Sequence, residues 1–341
     1  MRLVRQYHDI AHIFLFRGYC YLVGTDGSLS RAGEIGKEAR IDLSAYGGAG
    51  RVNNRHGIMQ IFYDETIFEI TGNLEIRELA RFDEQYVAKI GETFYIENRV
   101  DDDIFQFKLL ERGRTIFDVS TNKGLRIIGS QFYWTTMFKN YDLTKIDLAT
   151  GRDAWTFNVR ETARFFDERE EKWEDGFMTG DIVSREGSLI LFASCNTKGE
   201  EGDEEGRQYI RLDEKTGETI WNLRNIEYGS GNIQFYGNNI ISMHVRRLLV
   251  VDFNTGRRKD LISFEDRLPE VIVFNTFKVV KNRLYFVESR KKTLGVINLD
   301  NFELEYFSKL NIPAFQIEEL EVNEEYVFLK DSDRKVHIYG W

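Results

Sequence analysis

Two cysteines, Cys20 and Cys195, stand in a chain of 341 residues. So few exclude a disulfide framework and a cysteine-based zinc site. The pair reads as two reduced core thiols, with one long-range disulfide as the alternative. Only two prolines occur, and no stretch rich in Pro, Gly and Ser divides the chain. One domain over residues 1–341 is therefore expected. No apolar run reaches the roughly 18 residues that a membrane-crossing helix requires. The opening stretch MRLVRQYHDIAHIFLFRG starts basic, but Asp9, His12 and Arg17 leave only Ile13 to Phe16 uninterrupted. That is too short for a signal-peptide core, so a soluble cytoplasmic protein is expected.

Catalytic signatures are also missing. The five histidines, His8, His12, His56, His244 and His337, form no HExxH pair. Neither a GxSxG nucleophile elbow nor a GxGxxG dinucleotide fingerprint occurs. No metal site, cofactor or catalytic residue is assigned. The net charge of −10 disfavours nucleic acid and anionic membrane as partners.

What is present is strand pattern. Apolar residues make up 42% and aromatic residues 14% of the chain, ample for a packed core. The clearest stretch is Tyr141 to Val159, YDLTKIDLATGRDAWTFNV. Lys145 to Leu148 alternates polar and apolar residues, as a half-buried strand does. Thr150-Gly151 then supplies a tight turn, and Trp155 and Phe157 alternate on the return strand. The frame Asp147…Gly151…Trp155 recurs as Asp213…Gly217…Trp221 and as Asp252…Gly256, where Asp260 replaces the Trp. Asn298 to Tyr306 is a degenerate copy. Weaker copies keep Gly72 with Ile76 and Gly113 with Phe117. The five glycines are separated by 41, 38, 66 and 39 residues. A period of roughly 40 residues made of strands points to propeller blades rather than a sandwich.

At these residues the chain resembles the PQQ-like (quinoprotein-type) β-propeller repeat, Ala-x-Asp-x-x-Thr-Gly-x-x-x-Trp. Lys145 and Arg211 stand where that family has Ala. The resemblance implies a fold of four-stranded antiparallel blades. It also raises a quinone-dependent dehydrogenase with calcium and a vicinal cysteine pair. The distance in sequence between Cys20 and Cys195 speaks against that activity.

Eight hairpins can be read, at 12–24, 59–71, 86–98, 126–137, 182–194, 233–244, 277–289 and 320–331. The second and third lie too close for a complete blade between them. Seven blades are therefore favoured, with 25–57 as an insertion, and eight are the alternative. Met1 to Tyr7 reads as a lone strand, and the C-terminus as an incomplete blade. Pairing the two closes the ring and covers a sheet edge.

With strands A to D running outward in each blade, B–C turns and D–A crossovers share one face. The long segments, 25–57, 160–180, 196–207 and 265–274, all fall at such positions, and binding usually resides on long loops. Residues 161–180 start as a short helix and carry Phe165, Phe166, Trp173 and Phe177 amid charges. These aromatics are either partner anchors or pins that hold the insertion down. Glu200, Glu201, Asp203, Glu204 and Glu205 lie in the loop GEEGDEEG. That loop reads as a solvated segment or as a lure for a basic partner. Arg51 and Arg55, in YGGAGRVNNRH, could hold an anion with backbone amides. Together these features indicate a non-catalytic, monomeric scaffold that binds another protein, of the immunity or assembly type. The alternative is a carbohydrate-active hydrolase or lyase with carboxylates in the funnel.

Overall fold

A computed structural model describes the chain except for residues 33–38, 55–57, 84–85, 130, 137–140, 168–170, 196–205, 225, 227–231, 245, 269–275 and 341. The fold is a β-propeller of eight blades. Blade 1 takes Ile10–Phe16, Tyr19–Gly24, Ser28–Ala32 and Arg40–Asp42 as strands A to D. Blade 2 has Met59–Tyr63, Thr66–Ile70 and Ile76–Arg81. Blade 3 has Tyr86–Ile90, Thr93–Asp101, Ile104–Glu111 and Arg114–Thr121. Blade 4 has Lys123–Ile128, Gln131–Thr136, Asp142–Asp147 and Arg152–Asn158. Blade 5 has Gly176–Arg185, Ser188–Cys195, Gln208–Asp213 and Thr219–Leu223. Blade 6 has Gln234–Tyr236, Asn239–His244, Arg247–Asp252 and Arg258–Ser263. Blade 7 has Thr276–Val280, Arg283–Glu288, Thr293–Asn298 and Glu303–Lys309. Blade 8 has Ile317–Val322, Tyr326–Asp331 and Val336–Gly340, and takes Arg2–Tyr7 as its fourth strand.

Eight blades replace the favoured seven, and the reason lies in two places. Residues 25–57 are not an insertion, because they supply strands C and D of blade 1 before two 3-10 turns at Ser44–Tyr46 and Ala49–Arg51. The crowding between the second and third hairpins was real, but it reflects a missing strand rather than a missing blade. Blade 2 has three strands among the described residues. Gly72 accordingly sits between strands B and C of blade 2, not in a C–D turn. The expected ring closure is present. Arg2 pairs with Gly340 and Tyr7 with Val336 in an antiparallel ladder.

Two compact units make up the chain: Met1–Asn98 with Ile272–Trp341, and Arg99–Val271. In the first unit, strands A of neighbouring blades are tied by polar side chains. Gln60 donates to the Lys89 carbonyl at 3.0 Å and accepts the Lys89 N–H at 2.6 Å, joining blade 2 to blade 3. Apolar side chains fill the spaces between. Leu294, Val296, Leu320 and Leu329 are fully buried between blades 7 and 8, and Cys20, Leu22 and Val336 between blades 8 and 1.

In the second unit the Asp-x-x-Thr-Gly frame performs the joining. Asp147, Asp213 and Asp252 each accept a backbone N–H two residues on, at 2.9–3.0 Å. Each following glycine donates its N–H to the carbonyl of its Asp at 2.8–2.9 Å and adopts positive φ. Thr150 and backbone donors hold the Asp147 carboxyl below its usual range. Lys259 and the Thr255 N–H hold Asp252 down to about 2. The turn so fixed receives the tryptophan of the preceding blade. The Trp155 indole N–H donates to the Glu214 carbonyl at 3.3 Å, and that of Trp221 to the Phe253 carbonyl at 2.9 Å. A Cβ on Gly217 would stand 2.5 Å from the Trp155 ring, and one on Gly256 2.5 Å from the Trp221 ring. Glycine is thus required twice over, for its φ and for the close approach.

Two outcomes test this joint. Gly151→Ala, where φ is +69° and nothing lies within 4 Å of the new Cβ, should cost only about 1 kcal/mol of backbone strain. Gly217→Ala and Gly256→Ala should each cost about 1–3 kcal/mol more, through overpacking against the indole. Trp221→Ala should cost about 3–5 kcal/mol, all read from urea midpoints.

Candidate partner-binding site

The expected helix after residue 160 is a single turn, Val159–Thr162, capped by the Asn158 side chain, which accepts the Glu161 N–H. A small hairpin follows, Phe165–Asp167 paired with Lys172–Glu174. Its base is fixed by small residues. Val159 and Ala163 are fully buried, and a Cβ on Gly176 would fall 2.2 Å from that of Ala163. These small residues pack the base closely. Phe166 faces Trp173 across the register, ring centroids 5.4 Å apart, and both stay open to solvent at 39% and 55%. The Arg164 guanidinium lies over the Trp173 ring at 5.2 Å. Asp175 holds the base of the hairpin from its acidic side, 3.1 Å from Arg160 and 3.9 Å from Arg164. Phe177 is half-buried in strand A of blade 5. Of Phe165 only its backbone pairing with Glu174 is described.

Arg51 and the glycines beside it are brought together in a different role from anion binding. The Gly47 and Gly48 N–H groups are spent on the Ser44 and Leu43 carbonyls, and Arg51 stacks over Tyr63 at 5.6 Å. Arg55 lies outside the described residues, as do Glu200, Glu201, Asp203, Glu204 and Glu205.

The first unit holds a charged cluster that no sequence motif announces. It is built on strand A of blade 8. Glu319 accepts the Ile13 N–H of blade 1 at 2.9 Å on Oε2, and the same oxygen lies 2.7 Å from His12 Nδ1. Lys330, buried in strand B, reaches Glu318 at 2.5 Å and Glu319 at 3.8 Å. Glu321 meets Lys278 of blade 7 at 3.3 Å, and burial pushes its carboxyl above the usual range. Burial likewise raises the Cys20 thiol well above its ordinary value. Beside this cluster is a cavity of about 250 Å³ lined by Thr276, Val287, Ser289, Gln316, Glu318 and Glu319, among others. Its walls come from the starts of strands A and the end of a strand B, the same end of the blades from which B–C and D–A segments leave. Phe315, next in sequence to Gln316, is 74% exposed. The sequence signal for His12 and Glu319 was weak because the two are 307 residues apart. Each looks like an ordinary polar position in an alternating strand.

In the second unit a cavity of about 380 Å³ lies among the short turns, lined by Gln131, Lys145, Ser184, Glu214 and Lys215 with Gly129 and Gly187. The Glu214 carboxylate there accepts from the Tyr133 and Ser184 hydroxyls, each at 3.0 Å. It reads as part of the joint between blades 4 and 5.

No family model matches the chain, and no curated protein matches it in sequence. Solved structures match over nearly the whole length. They include the computationally designed Ika8 protein, at 12% identity with a TM-score of 0.58, covering 99% of this chain and 98% of that one. BamB from Moraxella catarrhalis is similar at 12% identity and a TM-score of 0.57, covering 100% and 97%. Sqt1 from Saccharomyces cerevisiae is similar at 8% identity and a TM-score of 0.57, covering 99% and 98%. At such identities these likenesses establish the fold alone. The resemblance to quinoprotein-type propeller repeats therefore holds at the level of the fold. Among the described residues no helix is long and apolar enough to cross a membrane.

The contact between blades 8 and 1 should be pH-dependent. The hydrogen bond to Glu319 raises the pKa of His12. A pKa raised by folding gives stabilisation that is complete below the unfolded value, about 6.5. It is lost as pH rises through the folded value. Urea midpoints should therefore fall from about pH 6.5 upward, and His12→Gln should remove that decrement. An unchanged pH profile in the variant would show that the contact contributes nothing.

Proposed function

We propose that this chain is a non-catalytic scaffold, one propeller domain over 1–341 in the cytoplasm, that binds another protein through the face carrying its long loops. One observation carries the reading: the Phe166–Trp173 pair is solvent-exposed on a hairpin whose base is packed by small residues. An exposed aromatic pair with a guanidinium stacked on it, rimmed by ion pairs, has the composition of an interface hot spot. The acidic segment 199–206 would draw a partner of basic character, with a reach of about 8 Å at physiological salt. The roles suggested are those of an assembly factor or of an immunity-type partner. A binding role is favoured over carbohydrate hydrolysis because the partly buried carboxylates of blade 8 are already engaged. Glu319 serves the Ile13 N–H and His12, and Glu321 serves Lys278.

The test is affinity capture from the source cell with wild-type chain and with a Phe166→Ser/Trp173→Ser variant, followed by mass spectrometry. A protein retained by the wild type should be lost or bound at least about 30-fold more weakly by the variant, as for a hot-spot pair worth roughly 2 kcal/mol. The melting temperature should be unchanged, because both side chains are exposed. Equal retention by both chains would rule out this face of the hairpin.

A further inference from the structure

Among the described residues blade 2 has three strands, and the outermost presents an open edge. In every other blade the third strand is flanked on both sides, and in blade 8 the fourth strand is brought from the far end of the chain. Ile76–Arg81 alone occupies third place with nothing outside it among the described residues. The ladder that holds it inward is well defined. Ile70 pairs with Ile76, Glu69 with Arg77, Phe68 with Glu78 and Thr66 with Arg81, with an irregularity between Ile67 and Phe68. Beyond its ends, the Phe82 N–H donates to the Glu65 carbonyl and the Thr71 N–H to the Glu75 carbonyl.

Backbone groups alternate in direction along a strand. Glu75 and Phe82 point inward, so Ile76 and Glu78, and Arg81 past the irregularity, turn their N–H and C=O groups outward. An open ladder of this kind is the template for β-augmentation. The edge is also not flat or apolar in the way that favours self-association. Its exposed side chains are Arg77, Glu78 and Arg81, beside half-buried Ile76, Leu79 and Ala80, with Glu78 and Arg81 bridged at 3.2 Å. Arg77 is exposed and makes no ion pair among the described residues.

We propose that the open edge of blade 2 at Ile76–Arg81 is a docking site for an extended segment of a partner protein, which adds as the blade's fourth strand. The backbone ladder supplies the affinity. The exposed guanidinium of Arg77 selects a segment with an acidic residue beside it, while Arg81, turned to the other face by the irregularity, stays with Glu78. The chain itself shows the arrangement to be compatible with its fold, since Arg2–Tyr7 completes blade 8 in the same way. The site is separate from the Phe166–Trp173 hairpin and does not rest on that reading.

The test uses the full chain and a displayed library of random heptapeptides. Selected peptides should carry acidic residues. In hydrogen exchange they should slow the amides of Ile76, Glu78 and Arg81. Glu78→Pro removes an outward N–H and leaves the inward ladder intact, since proline is tolerated at an edge position. It should weaken binding by about tenfold or more, whereas Glu78→Ala should bind normally. Arg77→Glu, which leaves the backbone untouched, should reverse the preference for acidic peptides. That variant keeps the test decisive if the proline variant folds poorly. Three outcomes overturn the proposal: no peptide slows those amides, Glu78→Pro binds as well as wild type, or the amides are already slowed in the free chain in proportion to its concentration, meaning that a second copy covers the edge.

Discussion

A blade can bury its two faces only against the blades beside it, so the structure stands or falls on how each blade grips the next. In the second unit that grip is a single carbonyl. The Glu214 carbonyl accepts both the Trp155 indole and the Lys145 ammonium, the latter at 2.9 Å. The Phe253 carbonyl accepts both the Trp221 indole and the Arg211 guanidinium, the latter at 2.8 Å. Lys145 and Arg211 stand where the quinoprotein-type repeat has Ala, as Val250 does in the third copy. They do not damage the joint. They add a charged donor to the oxygen the tryptophan already uses, and hydrogen bonds from charged donors are the stronger kind. The Arg211 guanidinium also covers the Phe253 ring at 3.9 Å. A turn carbonyl left without a donor under an indole would cost about 1–3 kcal/mol. Doubling the donors makes the joint tolerant of a poorly placed indole, such as the 3.3 Å bond of Trp155.

The first unit solves the same problem by other means. Its blades carry no tryptophan frame, and the links run between innermost strands instead: Lys278 to Glu321, Glu319 to Ile13 and His12, and Gln60 to Lys89. Here side-chain amides and buried or half-buried ionisable groups replace an aromatic ring on a turn. Of these links, those of His12, Glu319 and Glu321 depend on protonation in a way an indole does not. The turns of the second unit depend on it only through their aspartates, whose carboxyls are held below the usual range.

This division explains what could be read from the sequence. The A–B hairpins were legible in all eight blades, because alternation and two-residue turns are local signals. Some of those turns lack glycine altogether: Asp64 and Glu65 both adopt positive φ, yet the flanking alternation still marked the hairpin. The joints of the second unit were legible because one frame of nine residues encodes both halves of each contact. The joints of the first unit were not. Glu319 and His12 meet only because the ring closes, and neither residue carries a local mark of its partner. The count of blades fell to the alternative of eight rather than the favoured seven for a related reason. A short strand such as Arg40–Asp42 has too few residues to show a period, so the end of blade 1 looked like an insertion.

The aromatic hairpin is legible in sequence as an irregular segment. From sequence, its aromatics could be either partner anchors or pins for its own order. The structure orders it with Val159, Ala163 and Gly176 instead, through contacts too small to stand out in sequence. That substitution has a consequence for function. When small residues do the anchoring, Phe166 and Trp173 at the tip are left exposed, which is what the proposed partner contact would use. The same reasoning applies to Ile76–Arg81, whose inward ladder is complete and whose outward groups serve nothing within the blade. Both places have a satisfied inner side and an unsatisfied outer one. In a fold that elsewhere meets its needs between neighbouring blades, that asymmetry is what the two proposed partner surfaces share.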